Sequence, residues 1–158
     1  MVCLKIQWKK LIFALLLPLA VGGLSAFLTR DGMEAFSQLN QPPLSPPAWL
    51  FPVAWTILYL LMGYASYRVW TSAPSPIRRT AIRVYLLQLV FNFVWPILFF
   101  EYGKLWIALF WLIALWALVA STLIRFRQVD RTAGNLLIPY LIWLTFALYL
   151  NAGVAYLN

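Results

Sequence analysis

Five long apolar runs, separated by short charged stretches, set the pattern of this chain. Leu11–Thr29, Ala35–Tyr67, Val84–Phe100, Leu105–Ile124 and Thr132–Asn158 contain no Lys, Arg, Asp or Glu. A membrane-crossing helix needs about 20 residues, so each run can supply one. The runs are continuous rather than alternating, which excludes a membrane barrel. Helices remain, because a backbone in hydrocarbon must satisfy its own hydrogen bonds. The pattern therefore predicts an all-α membrane protein, a five-transmembrane-helix bundle forming one domain over 1–158. The expected spans are approximately 11–29, 47–68, 82–100, 105–124 and 134–156.

Composition agrees. Hydrophobic residues make up 64% of 158 residues, and mean hydropathy is +0.83. A soluble domain holds about 45–50% apolar residues and could not hide the excess. A cleavable signal is the competing reading of Lys9–Ala26. The apolar run continues to Thr29, however, and Gly22, Gly23 and Ala26 suit helix packing, so a retained first span is expected.

Charge adds an orientation. Of 12 Lys and Arg, ten fall in three alternate segments: Lys5, Lys9 and Lys10; Arg68, Arg78, Arg79 and Arg83; Arg125, Arg127 and Arg131. Arg30 and Lys104 fall on the other side, beside Asp31, Glu34 and Glu101. Positive charge favours the cytoplasm. This predicts a multi-pass cell-membrane protein with its N-terminus cytoplasmic and its C-terminus outside. Topology and anionic membrane lipid account for the net charge of +8. Nucleic acid is not an expected partner.

Much chemistry is excluded. There is no His, and a single Cys (Cys3) leaves no internal disulfide or paired-thiol motif. None of the four acidic residues lies in an apolar run. No metal site and no covalently bound cofactor are expected, and Cys3 is expected to do no functional work. Function must rest on aromatic rings, amides, hydroxyls and backbone.

Those groups fall in stripes. In the third span Gln88, Asn92, Trp95 and Phe99 share one helical face. In the fifth, Tyr140, Trp143, Ala147 and Asn151 do the same, and in the second Trp55, Tyr59 and Gly63. Gly22, Ser25, Ala26 and Thr29 give the first span a smooth face. An amide in hydrocarbon needs a partner, either another helix or a ligand. For Asn92 the ligand is the expected partner, and the two readings give opposite mutant behaviour. Together the stripes describe a flat-walled apolar pocket with few polar points, suited to a planar ligand. Five prolines between Leu39 and Pro52 stiffen a loop able to cover its mouth.

These strings resemble the translocator protein family, also called tryptophan-rich sensory proteins or TspO/MBR. The resemblance runs from Pro18 to Asn151. Its markers are PPLSPPAWLFPVAW (42–55), QLVFNFVWPILFF (88–100) and LLIPYLIWLTFALYLN (136–151). It implies a five-helix protein, commonly a homodimer, that binds porphyrins, and in some members sterols, in a pocket closed by the first loop. Carried over by motif, the pocket comprises Trp55, Asn92, Trp95, Trp143, Ala147 and Leu150, with Pro46 and Pro47 in the lid. Gly22, Ala26, Tyr59, Gln88, Phe99 and Tyr140 join them from the stripes. Some bacterial members degrade protoporphyrin with light and oxygen, which would make Trp55 and Trp143 catalytic. The chain departs from the family in this loop, where Ala35, Phe36, Gln41 and Leu44 replace the usual tryptophans, tyrosine and lysine. Three readings follow: a porphyrin-binding receptor or translocator, a porphyrin-degrading enzyme, and a small transporter of another kind.

Overall fold

The computed structural model describes residues 5–158; Cys3 lies outside them. The chain folds as α1 (Trp8–Leu28), α2 (Arg30–Phe36), α3 (Leu50–Trp70), α4 (Pro76–Pro96), α5 (Leu105–Val129), α6 (Arg131–Asn135) and α7 (Ile138–Leu157). A π-helical turn, Ile97–Glu101, extends α4. Among the described residues there is no strand. Five segments are long and apolar enough to span: Trp8–Leu28, Leu50–Trp70, Pro76–Glu101, Leu105–Val129 and Arg131–Leu157. The protein is a five-helix membrane bundle.

Local chemistry sets the helix ends. α4 starts at Pro76, ahead of the expected 82, because Ser75 caps it: its Oγ accepts from the Arg78 N–H at 3.0 Å. A proline in the first turn needs no amide partner. Pro96, with no N–H of its own, ends regular α4. The next turn widens, and the Tyr102 N–H bonds five residues back to the Ile97 carbonyl at 3.1 Å. Gly103, at φ +61°, supplies the left-handed residue that turns the chain into α5. Asp130 starts α6 by accepting from the Thr132 and Ala133 N–H groups at 2.9 and 3.2 Å.

α1 packs on α3, α4 on both α1 and α5, and α5 on α7. Gly63 permits the first of these: a Cβ there would lie 2.7 Å from the Ala14 carbonyl oxygen. Met62, Ala65, Val69, Leu112, Phe126 and Leu144 are buried in the centre. Phe13, Ile57, Val90, Phe110 and Ile142 face outward. Apolar residues on both sides of a helix are what a lipid solvent allows.

The three basic segments gather at one end. Lys10 Nζ lies over the Trp70 ring at 5.3 Å, the Gln7 N–H donates to the Tyr67 hydroxyl at 3.0 Å, and Arg68 Nε donates to Asp130 Oδ2 at 2.9 Å. The other end carries α2, the π turn, the proline-rich loop and the end of α7. There Asn40 and Asn158 exchange two hydrogen bonds, at 3.1 and 2.8 Å.

Candidate functional site

α3 and α7 keep their backbones apart, and large rings fill the gap. Trp55 stacks on Tyr59, with centroids 5.5 Å apart and planes 28° apart. It meets Tyr140 and Trp143 edge-on, at 6.1 and 6.4 Å. Phe51 and Phe146 flank Trp143 at 6.0 and 5.8 Å. Proline placement produces this arrangement. Pro52 and Pro139 each sit in the first turn of their helix, where no amide bond is lost, so Trp55 and Trp143 follow on regular helix.

Behind the rings runs a chain of hydrogen bonds. The Tyr59 hydroxyl donates to Asn92 Oδ1 at 2.8 Å, and Asn92 Nδ2 donates to the Tyr140 hydroxyl at 2.6 Å. Tyr140 donates to Gln88 Oε1 at 2.9 Å, and Gln88 Nε2 points at Met62 Sδ, 4.0 Å away. Gln88, Asn92 and Tyr140 are almost fully buried. Both ends of the Asn92 amide are thus taken by tyrosines on neighbouring helices. This is the helix-bonding arrangement rather than an amide left free for a ligand. The one fully enclosed donor among these rings without a partner is Trp143 Nε1.

Trp95 and Phe99 sit in a separate cluster beside the π turn. Their rings stack at 5.2 Å, with Phe36 5.2 Å from Phe99 and 5.1 Å from Phe100. Trp95 Nε1 donates to Asn151 Oδ1 at 3.1 Å, and Asn151 Nδ2 donates to the Leu105 carbonyl at 3.0 Å. Asn151 therefore belongs to this second cluster, though it shares a stripe with Trp143.

The remaining expected residues divide. Gly22 is buried against Tyr59, whose ring occupies the space a Cβ would need. Ser25 and Thr29 are buried beside it, and Ser25 Oγ donates to the Phe93 carbonyl at 2.9 Å. Ala26 turns to the exposed outer face of α1 and does not join them: the smooth stripe is one residue narrower than its spacing suggested. Ala147 is buried and Leu150 half-buried on α7.

The loop packs over this end through residues that the sequence reading did not single out. Pro42 is buried against Gly153, where a Cβ would lie 2.6 Å from the proline ring. The Tyr149 hydroxyl donates to the Pro43 carbonyl at 2.7 Å. Leu44 adopts φ +68° to turn the chain. Pro46 is half-buried and Pro47 exposed. A proline facing a glycine across helix and loop was the available signal for Pro42–Gly153, but one sequence shows no such pairing.

Fold and ring cluster define a class: a small helical membrane protein with packed aromatic rings between two spans and a proline-rich loop held against the end of α7. The TspO/MBR family profile matches residues 14–157, nearly the whole chain. A tryptophan-rich sensory protein of Cereibacter sphaeroides is 42% identical over 125 residues, covering 79% of this chain and 77% of that protein. The translocator protein of Bos taurus is 36% identical over 147 residues, covering 91% and 87% respectively. The tryptophan-rich protein TspO of Chlorobaculum tepidum is 35% identical over 144 residues, covering 90% and 91%. The chain belongs to the TspO/MBR family.

Proposed function

We propose that this protein is a membrane receptor or translocator that takes a porphyrin-type or other planar hydrophobic ligand, sterols included, between α3 and α7 beneath the proline-rich loop. The observation that carries this reading is the cluster of Trp55, Tyr59, Tyr140 and Trp143, in which both tyrosine hydroxyls are taken by protein partners and Trp143 Nε1 is enclosed without one. Stacked and edge-on rings offer a planar ligand flat walls. Trp143 Nε1 offers it a single hydrogen bond, and such sparse polar points fix orientation in apolar pockets. In this reading Gln88 and Asn92 hold the tyrosines rather than the ligand. The N-terminus and the basic end face the cytoplasm, the loop faces outward, and the working unit is a homodimer.

A second reading is light- and oxygen-dependent breakdown of bound protoporphyrin. What favours it is that the two indoles meet at 6.4 Å inside one chamber. Titrating the purified protein with protoporphyrin in darkness, then under light, tests both. Saturable quenching of tryptophan fluorescence in the dark supports binding. Loss of the porphyrin band in light, with new products that a Trp143→Phe protein does not make, supports degradation. No saturable quenching overturns both.

A further inference from the structure

We propose that the hollow between the end of α3 and the start of α4 binds the phosphate-bearing headgroup of an anionic phospholipid. The hollow measures about 240 Å³ and lies at the basic end of the bundle, away from the aromatic chamber. Trp70, Pro74 and Ile82 form its apolar walls, and Arg78, Arg79 and Arg83 its charged ones. Arg78 is held in place, because its Nη1 donates to the carbonyls of Trp70 and Ser72. Arg79 and Arg83 are exposed, one helical turn apart, and pair with no carboxylate among the described residues. The only acid at this end, Asp130, is taken by Arg68 and by the start of α6. On the far side Lys10 stands over the Trp70 ring. An anion entering the hollow therefore meets several cations and no competing negative charge. Arginine suits it, since its planar fork matches phosphate oxygens.

A second feature selects a lipid over a free phosphate. Arg79, Arg83, Leu86 and Val90 follow one another at steps of four, three and four, so they lie along one face of α4. Leu86 and Val90 are 45% and 57% exposed. The cation pair thus leads straight into an outward apolar strip heading toward mid-span. A headgroup seated on the arginines would lay its acyl chains along that strip. Free phosphate would use only the upper half of the surface.

The test compares lipids with identical acyl chains, phosphatidylglycerol and phosphatidylcholine, added to the full-length protein in detergent. Bound lipid is counted by native mass spectrometry. The wild-type protein is expected to retain one phosphatidylglycerol in preference to phosphatidylcholine. Replacing both Arg79→Gln and Arg83→Gln removes two surface cations and is expected to weaken retention about thirtyfold. Both side chains are exposed, and circular dichroism checks that the variant stays helical. Arg127→Gln with Arg131→Gln removes the same charge from the same end and is expected to leave retention near wild type. Equal loss in both double variants would mean diffuse charge and overturn the site. Full displacement by soluble glycerol phosphate would identify a free phosphate ligand and overturn the lipid assignment.

Discussion

The bundle holds two tryptophan clusters that treat their indole N–H groups in opposite ways. At the π turn, Trp95 gives its N–H to Asn151, and Asn151 passes the other side of its amide to the Leu105 backbone. In the chamber, Trp143 is as well surrounded by rings but gives its N–H to nothing. A buried polar group left unpaired in a low-dielectric interior is costly. The first cluster is therefore built for stability. The second carries an unmet demand that an arriving ligand can satisfy.

Removing Asn151 should damage the first cluster most. Asn151→Leu strands the Trp95 N–H and removes the side-chain bond to the Leu105 carbonyl, and should lower stability by about 3 kcal/mol. Thermal unfolding in detergent reads this out. An unchanged midpoint would mean the Trp95 cluster is as loosely satisfied as the chamber, and the contrast would vanish.

Asn92→Leu comes next. It leaves the Tyr59 hydroxyl without an acceptor and Tyr140 without a donor, at a cost of about 2 kcal/mol in the ligand-free protein. This is the outcome expected of a helix-holding amide. Unaltered stability with a large loss of porphyrin affinity would return Asn92 to the ligand.

Gly22→Ala sharpens the comparison from the α1 side. The new methyl enters space held by the Tyr59 ring, and that ring is anchored through its hydroxyl. Overpacking of this kind costs about 1–3 kcal/mol. If the ring yields instead, Trp55 loses its stacking partner, so porphyrin quenching should weaken more than the unfolding midpoint falls. A variant indistinguishable from wild type in both measurements would show that Tyr59 is not held.

The smallest effect is the most diagnostic. Trp143→Phe deletes an unpaired donor, so ligand-free stability should hold or rise, while porphyrin affinity drops by about 1 kcal/mol. Trp95→Phe should do the reverse, losing stability and keeping affinity. Parallel behaviour of the two variants in the same titrations would dissolve the distinction between the clusters.

The span count, which loops share an end of the bundle and which rings pack between α3 and α7 were legible in the sequence. Uncharged runs mark the hydrocarbon layer, and aromatic residues at helical steps mark a face. Helix ends were less legible, because a helix continues past hydrocarbon. Arg78, Arg79 and Arg83 lie on α4 itself, though Ser75-Pro76 carried a readable start signal. Partner choice was not legible at all. The steps joining Trp143 to Asn151 are regular, yet Asn151 turns to Trp95 because α5 and the π turn bring the Leu105 carbonyl to it. The short helix α2 was also missed: seven residues lie below the length at which periodicity speaks.

The hydrogen-bond chain behind the chamber has a direction, and its last member sets it. A thioether sulfur has no proton to give. Met62 can only receive, so Gln88 must turn its NH₂ toward Met62 and its oxygen toward Tyr140. That choice dictates which way Tyr140 points its proton, then the orientation of the Asn92 amide, and finally that of the Tyr59 hydroxyl. Reversing the order would set oxygen lone pairs against sulfur at one end and leave a tyrosine proton idle at the other. The row is a one-way valve for polarity: a sulfur atom deep between α3 and α4 dictates how a ring in the ligand chamber is held.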